Sequence, residues 1–169
     1  MSTLERDKAI FGIITKAYAF QFEYREKLDS KLNNFIAITA TIATLNAGIG
    51  FFVFDKISNS NPFYLHLVLT FVAGMFILVI AIVKGLLGYK PTKLTIYPED
   101  PPRIIERYKE LTETHVVREV SASMAHVTVL NYKINAKKAR TINWVFWLLT
   151  IGIIAILAFT IVMVLALGA

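Results

Sequence analysis

The chain has 169 residues and no cysteine. This excludes a disulfide framework, a zinc site with sulfur ligands and a cysteine nucleophile. Proline is scarce and confined: Pro62 stands alone, and Pro91, Pro98, Pro101 and Pro102 crowd one segment. Residues 103–167 contain no proline and a single glycine, Gly152, so nothing local breaks a helix there. Charge is missing from three long stretches. Residues 35–54, 63–83 and 142–167 contain no Asp, Glu, Lys or Arg. Each meets the roughly 20 apolar residues that a helix needs to cross a bilayer. The same absences argue against enzyme classes. The spans hold no catalytic acid for an intramembrane protease and no mid-membrane charge for a proton relay. A glycine-rich phosphate loop and a paired-carboxylate site are also missing. A non-enzyme without a cofactor is expected.

What remains predicts an all-α fold: an integral membrane helical bundle with three transmembrane helices and a cytoplasmic helical stalk. Residues 1–34 read as a cytoplasmic amphipathic helix, in which Ile10, Ile13, Ile14, Ala17, Phe20, Tyr24, Leu28 and Leu32 recur at three- and four-residue steps. Residues 35–87 read as a transmembrane hairpin (35–54 and 63–87), closed by a short turn-forming loop that ends in Pro62. Residues 88–141 are a Pro-rich connector followed by a long helix that starts near Pro102 and continues into a third span at 142–167. Its stripe, Ile105, Tyr108, Leu111, Val116, Val120, Met124, Val127 and Ile134, is expected to pack on residues 3–34, with a break near Asn131–Asn135 as the alternative to continuity. A re-entrant span in place of one crossing is a further alternative.

The net charge is +6. Of the 18 Lys and Arg, six precede the first span, one (Lys56) lies in the first loop, eleven run from Lys84 to Arg140, and none follows the third span. By the positive-inside rule the N-terminus is cytoplasmic and the C-terminus outside, in a cell (inner or plasma) membrane. Trp144 and Trp147 sit at the cytoplasmic edge of the third span, where an interfacial belt places them. Glu5, Arg6, Asp7 and Lys8 do not fit the start of a cleaved signal. The basic residues next to the spans are read as topology determinants facing anionic lipid, not as a nucleic-acid footprint.

The first span carries the strongest candidate site. Ser30, Asn34, Ala37, Thr41, Thr44 and Gly48 follow one another at steps of four and three, a heptad seam of small or polar residues. Two readings fit it: close helix packing, because small side chains let backbones approach, or the lining of a pore shared between copies. Thr39, Ala43, Asn46 and Gly50 form a second small face. Asn46 must meet another helix or water, because a lone amide in hydrocarbon is costly. In the long helix, His115, Glu119 and His126 share one face as a polar stripe. The first two are spaced to share a metal, but His126 lies too far on to complete the site, so no metal is assigned. A pH-responsive patch or a solvated stripe are the readings left for it.

The layout resembles a known group. A charged helix leads through residues 27–34 (KLDSKLNN) into residues 35–44 (FIAITATIAT). A hairpin follows, then a cytoplasmic helix that ends in residues 131–140 (NYKINAKKAR) just before Trp144. This is similar to the small membrane effectors of prokaryotic nucleotide-signalling defence systems, the Pycsar transmembrane effectors and the related SLATT group. The resemblance implies an oligomeric antiviral effector that breaches the membrane when a soluble partner or nucleotide signals infection. The chain differs in having a third span and no recognisable nucleotide-binding domain. The sequence thus predicts a homo-oligomeric channel or membrane-disrupting protein, with the lipid bilayer, further copies and a soluble cytoplasmic regulator as partners. The alternative is a non-catalytic accessory or scaffold subunit of a larger membrane complex.

Overall fold

The computed structural model describes residues 2–89, 94–97, 106, 108–109 and 111–168. Within them lie three helices: α1 (Thr3–Lys56), α2 (Tyr64–Gly88) and α3 (Glu113–Gly168). Each contains a window long and apolar enough to cross a membrane. The start of α1 is a reciprocal cap that satisfies two backbone donors at once. The Ser2 N–H donates to Glu5 Oε2 at 2.7 Å, and the Glu5 N–H donates to Ser2 Oγ at 3.2 Å. The long helix begins at Glu113, not near Pro102. Lys109, Leu111 and Thr112 are outside regular helix, and Pro102 itself falls outside the described residues. No break occurs at Asn131–Asn135, because both side chains have partners that hold them in the helix (below). Pro62 does not occupy the first turn of α2; it precedes the helix, whose N-cap is Phe63.

The chain divides into two compact units. The first comprises Met1–Leu28 with Pro91–Lys138, and the second Asp29–Lys90 with Ala139–Ala169.

In the first unit α1 and α3 run parallel, and their contacts advance in step. Asp7 meets Arg118 (2.6 Å), Lys8 meets Glu113 (2.7 Å), and Gln21 meets Asn135. Only part of the apolar stripe expected at this interface is covered: Leu28 is buried and Ile14 and Tyr24 are half-buried. Ile10, Ile13, Ala17 and Phe20 are exposed, Ile13 by 68%, while Asp7, Gln21, Arg25 and Leu28 are buried. The reason lies on α3, whose buried row of Ser121, Met124, Val127, Asn131, Asn135 and Lys138 is itself mostly polar. Polar side chains find their hydrogen bonds only by turning toward that row. The segment 94–97 is clipped to the pair. Asn131 accepts from the Thr95 N–H (2.9 Å) and donates to the Thr95 carbonyl (3.0 Å), and the Tyr97 N–H donates to the Tyr18 hydroxyl (2.9 Å).

In the second unit α2 runs antiparallel to the neighbouring segments of α1 and α3. Ala43, Leu78 and Leu149 form one apolar layer, and Val53, Ile57, Leu67, Phe159 and Ala166 another. Glycines set the closest approaches. An added Cβ would fall 2.6 Å from Ile36 at Gly85, 2.5 Å from Thr141 at Gly88 and 2.5 Å from Leu78 at Gly152. These are the small-residue contacts by which helices associate in lipid. Asn61 closes the far end: its Oδ1 accepts the Phe63 N–H, and its Nδ2 donates to the Ala166 carbonyl, one of the last-turn carbonyls left over by α3.

Candidate functional site: two faces of the first helix

Helix α1 carries two small faces in the second unit, and the fold uses only one of them. Thr39 and Asn46 are 0% and 3% exposed, and Ala43 and Gly50 are buried with them. Gly50 lies against the Phe71 ring, which any side chain there would strike. The other face is left outward. Ser30, Asn34, Ala37, Thr41, Thr44 and Gly48 are all exposed, and a Cβ added at Gly48 would meet nothing within 4 Å. The helix period explains the split, since the two sets lie on nearly opposite sides at 100° per residue.

The hydroxyls on both faces are turned onto their own helix. Thr39 donates to the Phe35 carbonyl (2.6 Å), Thr41 to Ala37 (3.0 Å) and Thr44 to Ala40 (3.0 Å). Such back-bonding lets a threonine face hydrocarbon without an orphaned donor. Asn46 has no such outlet. Neither its Nδ2 nor its Oδ1 has a hydrogen-bond partner among the described residues.

The polar stripe on α3 belongs to the first unit. His115 and His126 are exposed, and Glu119 is half-buried with an interaction of its own. Among the described residues no group of three or more His, Asp or Glu is gathered to hold a metal.

A second polar cluster, in the first unit, escaped the sequence reading. Asn135 is fully buried, and its Nδ2 donates to both the backbone carbonyl (2.9 Å) and Oε1 (3.1 Å) of Gln21. One turn further along each helix lie Arg25 and Lys138, also buried. Burial, and then the Arg25 guanidinium, lower the Lys138 ammonium to about 8; burial also lowers Arg25. Both effects disfavour charge, burial by desolvation and Arg25 by like-charge repulsion. The signal available in the sequence was the pair Asn131 and Asn135, one turn apart in a helix where asparagine is otherwise disfavoured. No protein-family model, curated protein or solved structure matches this chain.

The arrangement offers surfaces: an outward small and polar face on a membrane-length helix, and a polar helix pair attached to it in sequence.

Proposed function

We propose that the chain is a membrane protein that self-associates through the outward face of α1, and that its copies together form a channel or a membrane-disrupting assembly. The observation that carries this reading is the exposure of the whole seam from Ser30 to Gly48, while the equally small Thr39–Gly50 face is consumed within the chain. Lipid tails are as apolar as leucine, so helices associate in a bilayer by close packing at small residues and by interhelical hydrogen bonds. An outward row of Ala, Thr and Gly is the surface that a second α1 fits. In this reading the first unit is cytoplasmic, as the distribution of Lys and Arg indicates, and it is where a soluble regulator or a nucleotide signal acts. An antiviral effector role follows the layout that the sequence resembles.

A second reading is favoured by one detail. Thr41 and Thr44 already satisfy their hydroxyls on their own backbone, as a dry packing face requires and a wetted pore wall does not. The seam then docks a helix of another protein, and the chain is an accessory subunit.

One experiment separates the two. The mass of the purified chain in nanodiscs and its ion flux in liposomes are measured for the wild type and for Thr41→Leu/Thr44→Leu. The channel reading expects a closed homo-oligomer of four or more copies whose flux falls at least about tenfold when the seam is filled, the loss of one good packing contact. A wild-type chain that stays monomeric and carries no flux sinks it in favour of the accessory subunit. The stability of the single chain is expected to change by less than about 0.5 kcal/mol, because the substituted positions are outward.

A further inference from the structure

In the second unit, the turn between α1 and α2 and the end of α3 border a recess of about 410 Å³, a volume within the roughly 300–1,000 Å³ of small-molecule sites. The turn contributes Lys56, Ser58, Ser60 and Asn61, and α3 contributes Ala166 and Leu167. Lys56, Ser58, Ser60 and Leu167 are exposed, so the recess is open to what surrounds the protein. All three charge-free stretches end beside it, at residues 54, 63 and 167. A bilayer crossed by those stretches has its headgroups at this depth.

Two opposite sets of polar groups are left unspent here. Lys56 has no ion pair or side-chain hydrogen bond among the described residues. The Ser58 and Ser60 hydroxyls lie 2.8 Å apart, and Ser58 Oγ also accepts the Ser60 N–H (3.3 Å). One hydroxyl hydrogen makes the contact between the two oxygens, so the other stays available for an outside acceptor. A cation and a hydroxyl donor side by side suit an anion, and charge-assisted bonds of this kind are the strong ones. The end of α3 is the reverse. Its last-turn carbonyls lack intrahelical donors and carry the negative end of the helix dipole. Asn61 Nδ2 donates to the Ala166 carbonyl (2.9 Å), and the Leu167 carbonyl belongs to the same turn.

We propose that the recess binds a zwitterion of phosphate and primary ammonium, the headgroup chemistry of an ethanolamine phospholipid. Lys56 and the available serine hydroxyl take the phosphate oxygens, and the ammonium donates to last-turn carbonyls of α3 such as that of Leu167. A choline headgroup has no N–H to donate, and a glycerol headgroup carries no cation, so each satisfies only half of the site. The recess is built from one chain, so it stands or falls separately from the association of copies.

The full chain is placed in nanodiscs that hold ethanolamine, choline and glycerol phospholipids in equal parts. Lipids that stay with the released protein are counted by native mass spectrometry. The ethanolamine lipid is expected to be retained at least about tenfold over the choline lipid, the worth of one charge-assisted hydrogen bond. Lys56→Gln is expected to abolish that retention and Ser58→Ala/Ser60→Ala to weaken it, whereas Lys84→Gln, near the other end of α2, leaves it unchanged. Soluble phosphoethanolamine that displaces the lipid supports the same chemistry and assigns the site to the free zwitterion. Equal retention of the three lipids, no retained lipid, or retention that survives Lys56→Gln overturns the proposal. Glycerol lipid held as firmly as ethanolamine lipid overturns the part given to the α3 carbonyls.

Discussion

The two units pair their helices by opposite means. In the first, α1 and α3 are joined by an ion pair on the buried Asp7 and by the Asn135 side chain, which reaches the Gln21 carbonyl and Oε1. In the second, the helices meet through apolar layers and glycine approaches, and Thr39, Thr41, Thr44, Thr70, Thr150 and Thr160 donate to carbonyls of their own helix. The difference is the one expected if the first unit meets water and the second lies in a membrane, which the length and composition of its helices permit. Where water competes, a directed hydrogen bond still adds specificity, and a buried polar group is tolerated once paired. In hydrocarbon there is no hydrophobic drive between helices, so close contact does the work and stray donors are folded back.

If that contrast holds, a bulky residue at a glycine contact is the most damaging change. Gly88→Val places its Cβ 2.5 Å from the Thr141 methyl and is expected to cost roughly 3 kcal/mol by overpacking, read as a lower unfolding midpoint in detergent. A variant as stable as the wild type would break the claim that glycine contacts hold the second unit. Next is Asn135→Leu, which takes the donor from the buried Gln21 Oε1 and the second donor from the Gln21 carbonyl. A loss of about 2–3 kcal/mol is expected, and an unchanged midpoint would reduce the polar pairing to ornament.

Lys138 sharpens the comparison through pH. Its folded value of about 8 lies below the ordinary 10.5, so between those values the unfolded chain holds more protons than the folded one. Stability must then rise as pH climbs through that window and be lowest, and flat from this group, below it. The gain is at most roughly 3 kcal/mol, and Lys138→Met should flatten the slope. A midpoint that falls from pH 8 to 10 in the wild type, relative to that variant, would show the lysine charged and well paired. The smallest effect is expected at Gly12, where an added Cβ meets nothing within 4 Å. Gly12→Ala should stabilise by about 0.5–1 kcal/mol through helix propensity alone, opposite in sign to Gly88. Equal signs would mean that the two units do not differ in the way described.

Much of the helix content was legible in the residues. Three charge-free stretches and a proline-free run of over 60 positions leave the backbone few choices. The partner of each face was not legible. Ile10, Ile13 and Phe20 have the spacing of an interface yet lie outward, while Gln21 and Arg25, which lie off that stripe, are buried. Periodicity reports that a face exists, but both candidate faces of the first 28 residues have helical spacing. The choice between them depended on the polar row of α3, more than 100 positions away.

The candidate site divides along the same line. Sequence alone determined that residues 30–50 carry two small faces, because spacing on a helix is a property of the helix. Only the tertiary structure decided that Thr39, Ala43, Asn46 and Gly50 turn inward and that Ser30, Asn34, Ala37, Thr41, Thr44 and Gly48 turn outward. The physical reason is packing. The inward face is the one whose glycine admits the Phe71 ring and whose alanine shares a layer with Leu78 and Leu149, and that complementarity exists only once three helices are brought together.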